Sequence, residues 1–390
     1  MCKKLAVISG KGGSGKTSFS LAFGKVLASL GLRVLLVDCD MSTHGSTFFM
    51  KPRIEKHKNN HHSLLSVEDI LDSQNMPPYG FLASEKVATN AFSGEDLEIE
   101  KLLKINKNFF FLPSDISITN SKTNKNKYRY DIFNGLFIEE IESIFQFIIF
   151  DCQAGYCEFT RNIVKISDTC LLVTEPDSVS AAANKALCFQ MGIEMQDVQA
   201  YQIFNKITEE EAFHYSKISV STFFKNLPPV IFDWSVRRTF VYSKIPSHET
   251  VSTQFGIGLL DILSSIFPEY EEELNKQKEV LEDRQRIELK TEIRKLEMYE
   301  RRTRVDRIMT TMLLTIPLIL FTAVLMYTYA MGYSNHMLIF VTISTICVFL
   351  LESYLIMKNR LSKHKSKKED LVKLKTQFEN NKSTIKSKKE

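Results

Sequence analysis

No two of the seven cysteines stand at Cys-x-x-Cys spacing, and Cys152 and Cys157 are too far apart to match it. A structural zinc site of the paired-cysteine type is therefore not indicated. Reduced thiols in a cytosolic compartment are the simplest expectation. No cleavable leader is recognisable, because Lys3 and Lys4 precede only a five-residue apolar stretch. No internal repeat is found. The chain also lacks a strong charge of either sign: 50 basic and 46 acidic residues leave +4. At 44 % hydrophobic and 25 % charged residues, the composition excludes a wholly disordered chain, a collagen-like chain and a polytopic transporter. With 390 residues, two or more domains fit the usual prior of roughly 150 residues each.

Short apolar runs punctuate the first 260 or so residues. They are Leu5–Ser9, Val34–Val37, Phe109–Leu112, Phe147–Phe150, Cys170–Val173 and Tyr201–Phe204. Their hydrophobicity is continuous rather than alternating, which suits strands of a parallel sheet covered on both faces. Amphipathic segments at Thr17–Leu30, Ile132–Ile144 and Val179–Met191 lie between them and predict helices. Strand–helix–strand repetition predicts an α/β fold with a doubly wound, mainly parallel sheet. Two polar stretches, Lys51–His62 and Ser121–Arg129, read as surface loops. His57, His61 and His62 have no acidic or cysteine partner nearby and are read as solvated.

From Glu271 to Arg307 the chain is dense in Glu, Lys and Arg and has neither Gly nor Pro. Leu274, Leu281, Leu289 and Leu296 form a thin seam, compatible with a coiled coil or with a single solvated helix held by i,i+4 ion pairs. The stretch Ile308–Leu351 then contains no Asp, Glu, Lys or Arg over 44 residues. About 20 apolar residues cross a bilayer, so two spans are predicted, at about 308–331 and 337–357, parted by Gly332–His336. Arg301, Arg302, Arg304 and Arg307 precede the first span; Lys358, Arg360, Lys363 and Lys365 follow the second. The turn has no Lys or Arg, which predicts cytosolic flanks on a cytoplasmic membrane. The tail 358–390 holds 12 basic and 4 acidic residues, so the remainder of the chain is mildly acidic. Leu371, Leu374 and Phe378 give the tail helical spacing, and it could pair with the charged stalk. The expected divisions are 1–267, 268–307, 308–357 and 358–390.

Gly10-Lys-Gly-Gly-Ser-Gly-Lys-Thr17 lies between a predicted strand and a predicted helix, the context a phosphate-binding loop requires. Backbone N–H groups there can wrap phosphates, with the helix dipole behind them. Lys16 would reach the β- and γ-phosphates and the Thr17 hydroxyl would ligate Mg²⁺. The additional lysine, Lys11, resembles the signature lysine of the deviant Walker A ATPases of the MinD/ParA class. Other landmarks of that class follow in order. Val37-Asp-Cys-Asp40 resembles switch I, and Phe150-Asp-Cys-Gln-Ala-Gly155 resembles Walker B running into switch II. Phe204-Asn-Lys206 resembles the base-reading segment, and Lys244-Ile-Pro-Ser-His248 a loop that closes over the base.

The resemblance covers roughly residues 1–267 and implies a set of roles. Lys11, Lys16 and Asp40 would be catalytic, with Asp40 orienting the attacking water. Gly12, Gly13, Ser14, Gly15, Lys16, Thr17 and Ser18 would hold the nucleotide, with Gly155, Asn205 and Pro246. Thr17, Asp38 and Asp151 would hold Mg²⁺. ATP and Mg²⁺ are the implied cofactors, and an ATP-sandwich homodimer the implied assembly, with Lys11 reaching the partner's phosphates. Met41 and Ser42–Gly45 depart from the class pattern. The expected function is a membrane-anchored ATPase switch that recruits or positions a protein partner, with lipid contacts from the spans and basic tail. A membrane-tethered ParA-like protein acting on DNA is the alternative. A bacterial tyrosine autokinase fits less well, because its spans precede the P-loop domain. An arsenite or tail-anchored-protein ATPase fits less well too, since there is no Cys-x-x-Cys and no second P-loop.

Overall fold

The computed structural model describes residues 2–60, 64–72, 81–82, 101–114, 129–191, 197–247 and 251–330, together with Thr376. Strands β1 (Lys3–Ile8), β2 (Val34–Cys39), β3 (Leu103–Lys104), β4 (Phe109–Leu112), β5 (Phe147–Cys152), β6 (Thr169–Thr174), β7 (Gln199–Ile207), β8 (Lys225–Asn226) and β9 (Val230–Ile231) build one sheet. Its order is β3-β4-β2-β5-β1-β6-β7-β8, with β9 also on β7. Every pairing is parallel except β3–β4. The helices are α1 (Lys16–Ser29), α2 (Gly45–Asn60), α3 (Val67–Leu71), α4 (Tyr130–Ile132), α5 (Ile138–Glu142), α6 (Glu158–Ile166), α7 (Ser178–Gln190), α8 (Ala212–Tyr215), α9 (Trp234–Val241), α10 (Thr253–Ile266) and α11 (Glu271–Ala330). A π-helical turn, Phe133–Phe137, joins α4 to α5.

All six predicted strands are present, and the continuous apolar runs are explained by helices on both faces. Successive residues of β5 alternate between two cores: Phe147 and Ile149 enter one, Ile148, Phe150 and Cys152 the other. The first core takes its cover from α1, α2 and α10, the second from α3, α5, α6, α7 and the π turn. Phenylalanine is the main filler: Phe19, Phe23, Phe109, Phe111, Phe133 and Phe147 are among the fully buried side chains. Each ring removes roughly 150–250 Å² from water, so the aromatic residues account for much of the burial energy.

The stretch Lys51–His62, expected as a loop, is helical through Asn60. Its composition hides this, because the packed positions Phe49, Met50 and Ile54 cluster in the first half of α2. They are followed by Lys and His, and Pro52 lies inside the helix. His61, His62 and the stretch 121–128 lie outside the described residues.

The chain divides into two compact units, Met1–Glu282 and Asp283–Glu390. The first unit takes in the start of α11: Leu274 and Leu281 are core residues there, and Lys278 forms an ion pair with Asp261. Among the described residues no helix is long and apolar enough to cross a membrane. The two-span anchor expected over 308–357 therefore finds no support in them. The expected second span, 337–357, and the tail apart from Thr376 lie outside the described residues.

Candidate functional site

The loop between β1 and α1 sits at the C-terminal edge of the sheet, where ligands of open α/β sheets bind. Gly15 begins α1 in a left-handed conformation, φ 102°, and Gly13 has φ 84°. A side chain at either position would be strained. Gly10 is glycine for another reason. A Cβ there would lie 2.3 Å from the Ala183 carbonyl carbon of α7, and its N–H donates to Asn184 Oδ1 at 2.5 Å. The loop is thereby held against α7.

Lys16 folds back over the loop, nearly buried, and donates to Ser9 Oγ at 2.8 Å. Ser9 Oγ in turn donates to the Lys11 carbonyl at 2.7 Å. Lys11 reaches outward instead, to Asp177 Oδ2 at 3.2 Å and Glu175 Oε2 at 3.3 Å in its own chain. These two hydrogen bonds, Asp177's the larger, raise its pKa. Asp177 is held down at about 2, chiefly by the backbone and hydroxyl hydrogen bonds of Ser180 at the start of α7.

Three aspartates stand at the ends of β2 and β5. Asp38 and Asp151 are register partners across the two strands. Asp38 is fully buried. Its Oδ2 accepts from Thr47 N–H at 2.8 Å, Thr47 Oγ1 at 2.6 Å and Ser114 Oγ at 3.2 Å. Burial, and next the charge of Asp151, push its carboxyl up to about 8. Asp151 accepts from Ser20 Oγ at 3.2 Å and from the Ser46 hydroxyl. Burial raises its pKa too, against the lowering effects of Ser46, Lys16 and Thr17. Ser46 and Thr47 open α2, so the positive end of that helix faces both buried carboxylates.

Asp40 behaves differently. Burial acts to raise its pKa, but hydrogen bonds from Thr43 and Ser42 outweigh burial and hold it below the usual carboxylate range. Its Oδ1 accepts from Ser42 N–H, Ser42 Oγ and Thr43 N–H, and its Oδ2 from Thr43 Oγ1 at 2.5 Å. The segment Ser42–Gly45, which departs from the class pattern, is thus a turn built on Asp40. His44 closes it in a left-handed conformation, φ 51°, with Nδ1 2.7 Å from Ser114 Oγ. Gly155, φ 79°, donates its N–H to the Ser9 carbonyl at 2.8 Å, which brings the second switch segment onto the loop.

A cleft of about 400 Å³ opens beside the loop, walled by Gly13, Gly15 and Ser18 on one side and Phe232, Val236 and Phe240 on the other. Asn205 lines it and donates from Nδ2 to the Ser14 carbonyl at 2.8 Å. Lys206, also on its wall, donates to the Gly13 carbonyl at 2.5 Å and pairs with Glu175. Pro246 is buried beside the core residue Ile245 and is not among the residues walling this cleft. Ile231, Phe232, Asp233, Val236 and Arg237 line the cleft. No sequence motif marked them, nor Ser20, Ser46, Thr47, Ser114 and Asn184. Their contacts come from separate elements and leave no spacing to read.

The loop fits a nucleotide phosphate. Ser14 Oγ is buried there with no hydrogen-bond partner, and a Cβ on Gly12 or Gly13 would meet nothing within 4 Å. An orphaned hydroxyl beside an open, glycine-built concavity is the cradle an anionic group requires. The Thr17 hydroxyl acts to lower the pKa of Asp151, and oxygen ligands of this kind suit Mg²⁺. Among the described residues no group of three or more His, Cys, Asp or Glu could hold a metal ion. A magnesium ion here would be held by Thr17 and Asp151.

A family model described as AAA domain matches residues 2–199. An uncharacterised ATP-binding protein of Methanocaldococcus jannaschii is 28 % identical over 179 residues, 45 % of this chain and 54 % of its own length. The septum site-determining protein MinD of Thermotoga maritima is 27 % identical over 173 residues, 44 % of this chain and 52 % of its own. The chain thus spans about half the length of the curated relatives it matches. Among solved structures, MinD of Pyrococcus horikoshii complexed with Mg-ADP superposes with a TM-score of 0.48 at 16 % identity, covering 68 % of this chain and 96 % of that one.

Proposed function

The chain belongs to the AAA-domain family, and from that premise we propose that it is a MinD/ParA-like ATPase whose ATP-bound form dimerises and positions a partner. One observation carries the reading: a glycine-built loop at the sheet's C-terminal edge supplies Lys16 folded back over it, and the strand ends beside it supply Asp38, Asp40 and Asp151.

The chemistry is hydrolysis of the terminal phosphoanhydride of ATP by water, giving ADP and phosphate. No covalent intermediate is needed, so positioning and charge neutralisation suffice. Lys16 is already aimed over the loop and holds the β- and γ-phosphate oxygens. Asp40 retains an acceptor position on Oδ2, since only Thr43 Oγ1 bonds there, and through it orients the attacking water. Mg²⁺, when bound beside Thr17 and Asp151, neutralises charge on the phosphate oxygens. Lys11 leaves Glu175 and Asp177 to meet phosphate of the facing subunit, so hydrolysis is slow in the monomer and depends on assembly. Replacing Lys11 by alanine keeps nucleotide affinity within a few-fold but removes dimerisation and hydrolysis. Light scattering and phosphate release measure both. If Lys11→Ala dimerises and turns over like wild type, the reading fails.

Attachment to a cytoplasmic membrane by two spans, with the ATPase domain on the cytosolic side, belongs to the same proposal. It is supported by the uncharged stretch 308–351 between basic flanks. Spans insert irreversibly, so ATP governs assembly within the membrane plane rather than attachment. A second reading, action on DNA, rests on the basic tail 358–390. Flotation of the full chain with vesicles after alkaline washing tests the anchor, and salt-dependent DNA retention tests the alternative.

A further inference from the structure

The outer face of α9 carries chemistry beyond the nucleotide cleft, which takes only Arg237 from it. Val236, Thr239 and Phe240 turn inward, with the Phe240 ring 4.8 Å from that of Phe49. Trp234, Arg237, Arg238 and Val241 fall at i, i+3, i+4 and i+7 and so form one stripe. All four face solvent, as does Tyr242 beyond them. Trp234 is 61 % exposed, Val241 72 % and Tyr242 70 %. Single exposed apolar side chains are ordinary, but a contiguous group of this size marks a contact surface.

The charges on this face have one sign. From Trp234 to Lys244 there are three basic residues, Arg237, Arg238 and Lys244, and no acidic one. The nearest carboxylate, Asp233, caps the helix: it accepts from Ser235 N–H at 2.7 Å and from the Ser252 hydroxyl. Arg53 of α2 adds a fourth cation at the margin, donating to the Ser243 carbonyl at 3.3 Å. The Trp234 ring meets Phe232 edge-on at 5.0 Å and carries the Arg237 guanidinium 5.3 Å from its centre.

Tryptophan and tyrosine beside arginine and lysine, with no acid between, is the composition of a membrane-interface surface. Nucleic acid would use the cations and, where single-stranded, stack bases on the aromatic rings. Nothing on a phosphate backbone rewards the exposure of Val241, whereas the headgroup boundary of a bilayer does. We propose that this face rests on an anionic lipid surface, with Trp234, Val241 and Tyr242 entering the headgroup layer and Arg238 and Lys244 meeting lipid phosphates. The inference concerns the first compact unit and does not depend on the spans or on ATP hydrolysis.

Trp234 is the only tryptophan in the chain, so its fluorescence reports this face alone. The full chain is mixed with vesicles of phosphatidylcholine, with or without phosphatidylglycerol, some bearing brominated acyl chains. On anionic vesicles Trp234 emission shifts to the blue and is quenched by the brominated lipid; on neutral vesicles it is not. The variant R238Q, in which nucleotide binding is unchanged, lowers this response by about five-fold in lipid concentration. Three results would overturn the proposal. One is a protein that floats with anionic vesicles while Trp234 stays open to aqueous acrylamide. Another is duplex DNA shielding Trp234 where vesicles do not. The third is ATP-driven self-association burying Trp234 without lipid.

Discussion

Replacing Asp38 by asparagine should remove a pH dependence from the stability of the nucleotide-free protein. In the folded chain, burial and the charge of Asp151 push the Asp38 carboxyl up to about 8, against about 3.9 when unfolded. Between those values the native state holds a proton that the unfolded state has already lost. Unfolding then releases that proton, so stability falls with rising pH, by about 1.4 kcal/mol per unit. The contribution is complete below about pH 4 and gone above about pH 8. From pH 6 to pH 8 the wild-type chain loses about 2 kcal/mol through this one group. Asparagine keeps an acceptor for Thr47 and has no proton to lose. Urea unfolding at the two pH values, for wild type and Asp38→Asn, measures the difference directly. The variant should lose less over the interval, by on the order of 1–2 kcal/mol, the rest of the slope belonging to the neighbouring Asp151. Asp151, raised in the same direction, leaves a residual slope in both proteins. Equal losses in the two proteins would refute the assignment of a proton to Asp38.

Replacing Lys16 by alanine should weaken ATP binding by about a hundred-fold or more, because a charge-assisted contact to two phosphates is lost; titration calorimetry reads the change. Gly10→Ala drives a methyl into the α7 backbone and should cost about 1–3 kcal/mol of stability in urea unfolding, with weaker nucleotide binding because the loop is displaced. Thr47→Val deprives Asp38 of its shortest hydrogen bond. It should destabilise the fold by about 1–3 kcal/mol and move the pH midpoint of the stability curve upward, as the lowering influence of Thr47 is gone.

The sheet was readable because parallel strands covered on both faces must be apolar throughout, and residues such as Phe147–Phe150 allow no other placement. The phosphate loop was readable because its spacing is local: glycines, Lys16 and Thr17 lie within one turn of chain. α2 was not, because its buried residues end at Ile54 and the rest of the helix is solvated. The polar cage around Asp38 and Asp151 could not be read either. It is assembled from α1, the start of α2 and the turn after β4, so no spacing in the sequence records it. The cleft wall at Phe232, Asp233, Val236 and Arg237 was missed for the same reason.

The loop is tied to α7 twice, through Asn184 to the Gly10 amide and through Asp177 to the Lys11 ammonium. Two tethers, one at the N-cap and one at the middle of the helix, link that helix to the phosphate cradle. Thermodynamic reciprocity then applies to it: whatever factor ATP imposes on a ligand that shifts α7, that ligand must return to ATP affinity undiminished. Val179 and Phe189 lie exposed on α7, so a ligand that shifted the helix from there would be read in the cradle.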